Sequence, residues 1–131
     1  MTVIVDTDVT SYFLKEDSRA ELYRPHLLGL PKIISFMTLA ELRRWEIQNN
    51  WGAKRIEKTN NFLDDFAIIY ADEKLCEIWA EIKSGAHKKG RPIETADAWV
   101  ASVALMFDVP LVTHNCRHFE NIEHLKIISE A

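Results

Sequence analysis

At 131 residues, with 47% hydrophobic and 27% charged side chains, the chain has the composition of a single globular domain (residues 1–131) with room for a sizeable core. No apolar run approaches the roughly 20 residues of a membrane span, no basic leader precedes the first strand, and Cys76 and Cys116 cannot build a disulfide framework; a membrane protein and a disulfide scaffold are excluded, and a reducing cytoplasm is the expected compartment. A net charge of −4 excludes a protein that grips nucleic acid over its whole surface, though not one that uses local clusters of Lys and Arg.

Thr2-Val3-Ile4-Val5 has no alternation and reads as a strand buried on both faces, as in a parallel sheet. It stops on Asp6-Thr7-Asp8, two carboxylates one residue apart. The simplest reading is a turn and helix cap, since Asp and Thr favour those positions. The alternative is a ligand site, because the carboxyl end of a central strand is where open α/β sheets bind, and acids there suit a hard cation.

Val9 to Leu14 is expected to be a short helical turn, and Arg19 to Leu28 a second helix ended by Gly29-Leu30-Pro31. Lys32 to Phe36 reads as the second strand. Thr38, three residues before Glu41, matches a capping box opening a helix to about Asn49, with Leu39, Leu42 and Trp45 inward. A further helix spans Trp51 to about Asp65. Ala67 to Tyr70 is the third strand, and Glu73 to about Ala86 a helix with Leu75, Ile78, Trp79 and Ile82 on one stripe. His87 to Pro92 reads as a basic loop. The strongest helical pattern is Ile93 to Phe107, with Ile93, Ala96, Val100, Val103, Ala104 and Phe107 on the core face. Leu111 to Thr113 and Lys126 to Ser129 complete five strands. Strands alternating with helices specify a parallel α/β sheet.

Asp97 lies beside the apolar stripe of its helix. An ionised carboxylate there is costly unless a cation or strong donors compensate it, although an acid in a first helical turn also suits the dipole. Glu41 has the same two readings, cap or cleft. Asp6, Glu41 and Asp97 all fall at strand ends or helix starts that can share one sheet edge. Carboxylates gathered there raise one another's pKa unless a divalent ion neutralises them. Thr113 to His118 leaves the fourth strand toward the same edge. Its His114-x-Cys116-x-His118 spacing is not a common zinc pattern. Basic clusters at Arg43 and Arg44, at Lys54, Arg55 and Lys58, and at Lys88, Lys89 and Arg91 are either solvated helix faces or phosphate contacts.

Four segments carry a resemblance: Val3-Ile4-Val5-Asp6-Thr7-Asp8-Val9, Ser35-Phe36-Met37-Thr38-Leu39-Ala40-Glu41-Leu42, Ala96-Asp97-Ala98-Trp99-Val100-Ala101-Ser102, and Leu111-Val112-Thr113-His114-Asn115 followed by Phe119. In this order and separation they resemble the PIN-domain family, and within it the VapC-type toxins of toxin–antitoxin pairs, over nearly the whole chain. The resemblance implies a five-stranded parallel sheet between helices and a Mg²⁺- or Mn²⁺-dependent ribonuclease. It places the metal on Asp6 and Asp97, with Glu41 direct or through water. Thr7, Thr113 and Asn115 are implied as supporting residues, and Arg43, Arg44, Lys88, Lys89 and Arg91 as the groups to hold RNA phosphates. The implied substrate is structured RNA, a transfer RNA or a ribosomal RNA loop, cut by water to leave a 5′-phosphate. The implied partner is a VapB-like antitoxin, and Tyr12, Phe13, Tyr23 and Trp45 are either exposed contacts for it or for a second copy of the chain, or ordinary core residues. Two departures stand out: Asp8 occupies a place where the family more often has Asn, and no carboxylate stands at Asn115 or His118. Asp8 or Glu94 can substitute as ligands.

Asp6-Thr7-Asp8-Val9-Thr10 also fits the opening of a haloacid-dehalogenase-like phosphatase, with Asp6 as nucleophile and Asp8 as acid/base. A receiver-like signalling module would use Asp72 and Thr113, and a metal-free ribonuclease would use His114, His118 or His124.

Overall fold

β1 (Val3–Val5) is the middle strand of a five-stranded sheet. β2 (Lys32–Ser35) and β3 (Phe66–Ile69) lie to one side of it, and β4 (Leu111–Val112) and β5 (Ile127–Ile128) to the other. Every pairing is parallel, with Ile4 opposite both Ile33 and Leu111. The computed structural model describes residues 1–131.

Six helices join and cover the strands: α1 (Thr7–Leu14), α2 (Ala20–Leu27), α3 (Phe36–Gln48), α4 (Ala53–Leu63), α5 (Glu73–Lys88) and α6 (Thr95–Phe107). The period of two along β1 divides the core. Val3 and Val5 face a cluster with Tyr12, Tyr23, Leu27 and Leu42, while Ile4 faces another with Leu75, Val100, Val103 and Phe119. A strand with both faces covered must be apolar throughout, and β1 has no exposure at any of its three residues.

The order β3-β2-β1-β4-β5 means that the chain leaves β1 in one direction and later returns to its other side. That makes the carboxyl ends of β1 and β4 the switch point, where an open α/β sheet forms a crevice. The first residues past those strands are Asp6 and Thr113.

Several local expectations are corrected. Thr38 is not a cap: Ser35 at the end of β2 accepts the Met37 N–H at 3.0 Å, and α3 starts three residues earlier than the capping box implied. Thr38 is instead fully buried within the helix. The basic loop is shorter than expected, because α5 continues through Lys88. Gly90 ends it in the left-handed region, φ 70°, with Gly90 N–H donating to His87 O and Arg91 N–H to Ala86 O. Ile93 precedes α6 and is buried, whereas Phe107 is exposed; Ala98, Ala101 and Ser102 are buried too, since α6 is covered on more than one face. Tyr12 and Tyr23 are buried core residues, while Phe13 and Trp45 are half-buried.

Candidate functional site

β1 delivers Asp6 to the crevice, and the start of α1 uses it. Asp6 is the N-cap of α1, accepting the Thr7 N–H at 2.8 Å through Oδ1. Its other oxygen accepts the Thr113 hydroxyl at 2.8 Å, a bond that spans 107 residues of chain. The cap and site readings of Asp6 are therefore compatible. Only 5% of the residue is exposed. Burial first, then the charge of Asp8, pushes the Asp6 carboxyl up to about 8, against the bonds from Thr113 and Thr7.

Asp8 sits one position into the same helix. It accepts the Val9 N–H at 2.6 Å and, across the crevice, the His114 N–H at 2.9 Å. Burial raises its pKa above the usual range, and those backbone bonds oppose the shift. The loop after β4 is thus tied to the start of α1 by Thr113 on Asp6 and, at 3.5 Å, on Asp8, and by His114 on Asp8. Thr113 Oγ1 also accepts the Asn115 N–H at 3.1 Å, and that N–H acts on the Asp8 carboxyl as well, so Asn115 joins the site through its backbone.

Glu41 reaches the crevice from the second turn of α3. The Thr7 hydroxyl donates to its Oε1 at 2.7 Å, and Thr38 Oγ1 lies 2.9 Å from Thr7 Oγ1. Because the Thr7 hydrogen goes to Glu41, Thr38 is the donor to Thr7. A buried hydroxyl relay therefore replaces the expected capping box and orients Glu41. Burial raises the Glu41 carboxyl; among charges, Asp97 and Glu94 add to this and Arg44 opposes it.

Asp97 enters from the first turn of α6, which begins at the same edge. It too is raised, by burial first, with Glu94 and Asp8 adding to the shift. His118, in the 3₁₀ turn Cys116–His118, opposes it: its Nδ1 lies 3.1 Å from Asp97 Oδ2. Glu94 caps α6 by position only, with no side-chain hydrogen bond to the helix, and is exposed.

Asp6, Asp8, Glu41 and Asp97 thus come from three chain segments to one cleft, and each carboxyl is pushed above its ordinary value. No three His, Cys, Asp or Glu side chains close on a common point as they stand. The donors are nevertheless all oxygen, and their mutual repulsion is what a hard divalent ion relieves. Such an ion fits this set, with water or phosphate oxygens filling the rest of its octahedron. Zinc does not fit the loop, because His114 and His118 are engaged elsewhere, on Tyr23 Oη at 2.6 Å and on Asp97.

The cations expected to hold phosphate are divided. Arg43 is held by the buried Glu46 at 2.7 Å. Arg44 is near enough to Glu41 for its charge to act on it. Lys88, Lys89 and Arg91 are exposed around the end of α5. Asp72, required by the receiver-like reading, is the exposed N-cap of α5, following the sheet's edge strand β3. Asp6 as a phosphatase nucleophile is disfavoured by having both oxygens engaged. Sequence reasoning names Thr38 only as a cap and Tyr23 only as a contact or core aromatic, and their parts in the site are new. Tyr23 packs against His114 and accepts the Glu130 N–H at 3.0 Å, tying the C-terminal segment to the loop after β4; only its aromatic character was visible beforehand.

Fold and site together define a parallel α/β protein with an acid-lined cleft at its switch point, suited to a divalent cation. A PIN domain profile matches residues 3–125, and the chain belongs to the PIN-domain family. It is similar to the protein named Ribonuclease VapC1 of Haemophilus influenzae (strain R2866), at 29% identity over 133 residues and 96% of each chain. Among solved structures, VapBC-1 from nontypeable Haemophilus influenzae matches with a TM-score of 0.84 and 26% identity over 98% of each chain. VapBC2 from Rickettsia felis, bound to a DNA fragment from their promoter, shares the fold with a TM-score of 0.85 at 24% identity, again over 98% of each chain.

Proposed function

We propose that the whole chain, residues 1–131, is a VapC-type endoribonuclease that requires Mg²⁺ or Mn²⁺ and is neutralised by a VapB-like antitoxin. The observation that carries this reading is the gathering of four carboxylates at the β1–β4 switch point, each raised above its ordinary pKa. The likeness to proteins named Ribonuclease VapC and to VapBC structures supports the substrate class and the partner.

Asp6 and Asp97 would hold the ion, with Glu41 direct or through water and Asp8 beside them. When bound, the ion supplies Lewis acidity to a phosphodiester and to an attacking water. Thr113 fixes the orientation of Asp6 by its hydroxyl bond, and the relay from Thr38 through Thr7 fixes Glu41. Such outer partners orient the ligands, and their loss typically costs about 10- to 100-fold in metal affinity or activity. Hydrolysis of this kind does not use the 2′-hydroxyl, so preference for RNA resides in how the strand is held. Arg44, Lys88, Lys89 and Arg91 are the exposed cations nearest that task, and a structured RNA with an unpaired loop, such as a transfer RNA or a ribosomal RNA loop, is the substrate class, met in the cytoplasm.

The test is cleavage of a total RNA pool by the purified chain with Mg²⁺, with Mn²⁺ and with EDTA, beside Asp6→Ala and Asp97→Ala. Discrete fragments are expected only with metal and only from the unsubstituted chain. Cutting that persists in EDTA or in both variants would overturn the reading.

A further inference from the structure

α5, the start of α6 and the 3₁₀ turn enclose a groove of about 610 Å³, within the range of about 300–1,000 Å³ that holds small organic ligands. Asp97 and His118 line it as well as meeting each other in the acid cleft, so the groove opens directly off that cleft. Its apolar wall includes Ile82, Ala86, Ile93 and Ile122. Three cations, Lys89, Arg91 and Arg117, stand around it, as do Glu81, Glu94 and Glu123.

Two of these cations span the groove in exposed contacts. Lys89 Nζ donates to Glu123 Oε1 at 3.4 Å, and Arg91 Nη1 donates to Asn121 Oδ1 at 3.1 Å. Exposed pairs of this kind contribute little and separate readily, and a phosphate offers either cation a stronger, charge-assisted partner. Arg117 is exposed and takes part in none of the chain's salt bridges. The turn at Gly90 is what carries Lys89 and Arg91 around the end of α5 to this rim.

Gly85 supplies the second observation. It lies in α5 on the groove wall. Its backbone is outside the left-handed region, and a Cβ added to it would meet no heavy atom within 4 Å. Neither conformation nor packing requires glycine here, although glycine inside a helix costs about 1 kcal/mol relative to alanine. What a side chain at this position would do is narrow the groove.

We propose that this groove is a nucleotide subsite of the cleft: its apolar wall receives one unpaired base of the RNA beside the scissile bond, while Arg117, Arg91 and Lys89 take the adjoining phosphates. The inference rests on the ribonuclease reading above and assigns to it the place where the strand is gripped. A paired base cannot enter such a recess, so the subsite selects a splayed, single-stranded segment.

The test compares Gly85→Leu and Arg117→Gln with Ser84→Leu and Lys74→Gln, exposed positions on the same helix outside the groove. Binding of a short fluorescein-labelled single-stranded RNA is read by anisotropy in EDTA, cleavage of total RNA is read with Mg²⁺, and thermal unfolding checks that each variant folds. Gly85→Leu and Arg117→Gln are expected to weaken binding about tenfold and to slow cutting in proportion, with both controls at the unsubstituted level. The same RNA annealed to its complement should bind more weakly and be indifferent to Gly85→Leu. Unaltered affinity in Gly85→Leu, with or without a loss in Arg117→Gln, would overturn the base subsite while leaving the ribonuclease reading intact. An unsubstituted chain that neither binds nor cuts RNA would overturn both.

Discussion

Thr113 holds Asp6 by one hydroxyl, and the same oxygen receives the Asn115 N–H, so this side chain sets both a carboxylate and the loop that follows it. Thr113→Val preserves shape but leaves two polar groups without their partner. The expected cost is about 1–3 kcal/mol of stability and about 10- to 100-fold in metal-dependent RNA cleavage, while Thr113→Ser should restore most of both; a thermal melt and a kcat/KM measurement on each variant would check this. Asp6 makes a further prediction about pH. Its carboxyl titrates near 8 in the folded chain against an ordinary value of 3.8. The folded state therefore binds more protons than the unfolded one across that window, and stability must fall as pH rises through it. Asp8, Glu41 and Asp97 are shifted the same way. Asp17, held down to about 2 by the Arg19 guanidinium, contributes its opposite trend only below 3.8 and does not interfere. In EDTA, Tm should decline by several degrees from pH 5 to pH 8, and Asp6→Asn should flatten most of that slope. A Tm that instead climbs with pH would show that the cluster is not held protonated.

The helices that carry these residues are pinned at their first turns, and two caps separate structure from function. Ser35 caps α3 through the Met37 N–H, and Asp72 caps α5 through the Leu75 N–H at 2.8 Å. Alanine at either should cost about 1 kcal/mol in urea unfolding. Only Ser35→Ala should also reduce RNA cutting, because α3 presents Glu41 whereas the Asp72 side chain bonds only the first turn of its own helix; equal loss of activity in the two would refute that separation. The same caps show what the sequence made legible. Strands β1 to β5 were visible in order as short apolar runs between turn signals and helical patterns, although only β1 and β4 are buried throughout. The start of α3 was misplaced because two signals competed: Thr38 and Glu41 match a capping box, while Ser35 three residues earlier is equally able to cap. The buried relay on Thr7 settled the choice, and it joins residues 31 and 34 positions apart. Asp6, Glu41 and Asp97 stood out as acids beside apolar runs. The grip of Asp8 on His114 and of Asp97 on His118 did not, because neither follows from any local pattern. Tyr12 and Tyr23 stay between core and contact on sequence alone, as short amphipathic helices do not reveal which aromatic faces the sheet; both are core.

At the scale of the molecule, the chain gathers like charges at the one edge where its topology reverses, and this couples folding to cations. Asp6 feels the charges of Asp8 and Asp97, Glu41 that of Asp97, and Asp97 that of Asp8, in addition to the burial that raises all four. A divalent ion that binds this cluster in the folded chain, and has no such cluster to bind in the unfolded one, must stabilise the fold by mass action. The gain is about 2.7 kcal/mol when the free ion is at about 100 times its dissociation constant. Tm measured at pH 7.5 should therefore rise steadily with added Mg²⁺ or Mn²⁺ and saturate, and Ca²⁺, larger and less demanding in geometry, provides a comparison. The rise should be lost in Asp97→Asn. That variant should melt no lower than the unsubstituted chain in EDTA, since removing one of several crowded carboxylates relieves repulsion. The two halves of this result test different things. A metal-dependent rise that survives in Asp97→Asn would place the ion elsewhere on the chain. A marked fall in Tm for Asp97→Asn in EDTA would mean instead that Asp97 is held chiefly by His118 and serves the fold, with the acids of β1 and α3 left to bind metal without it.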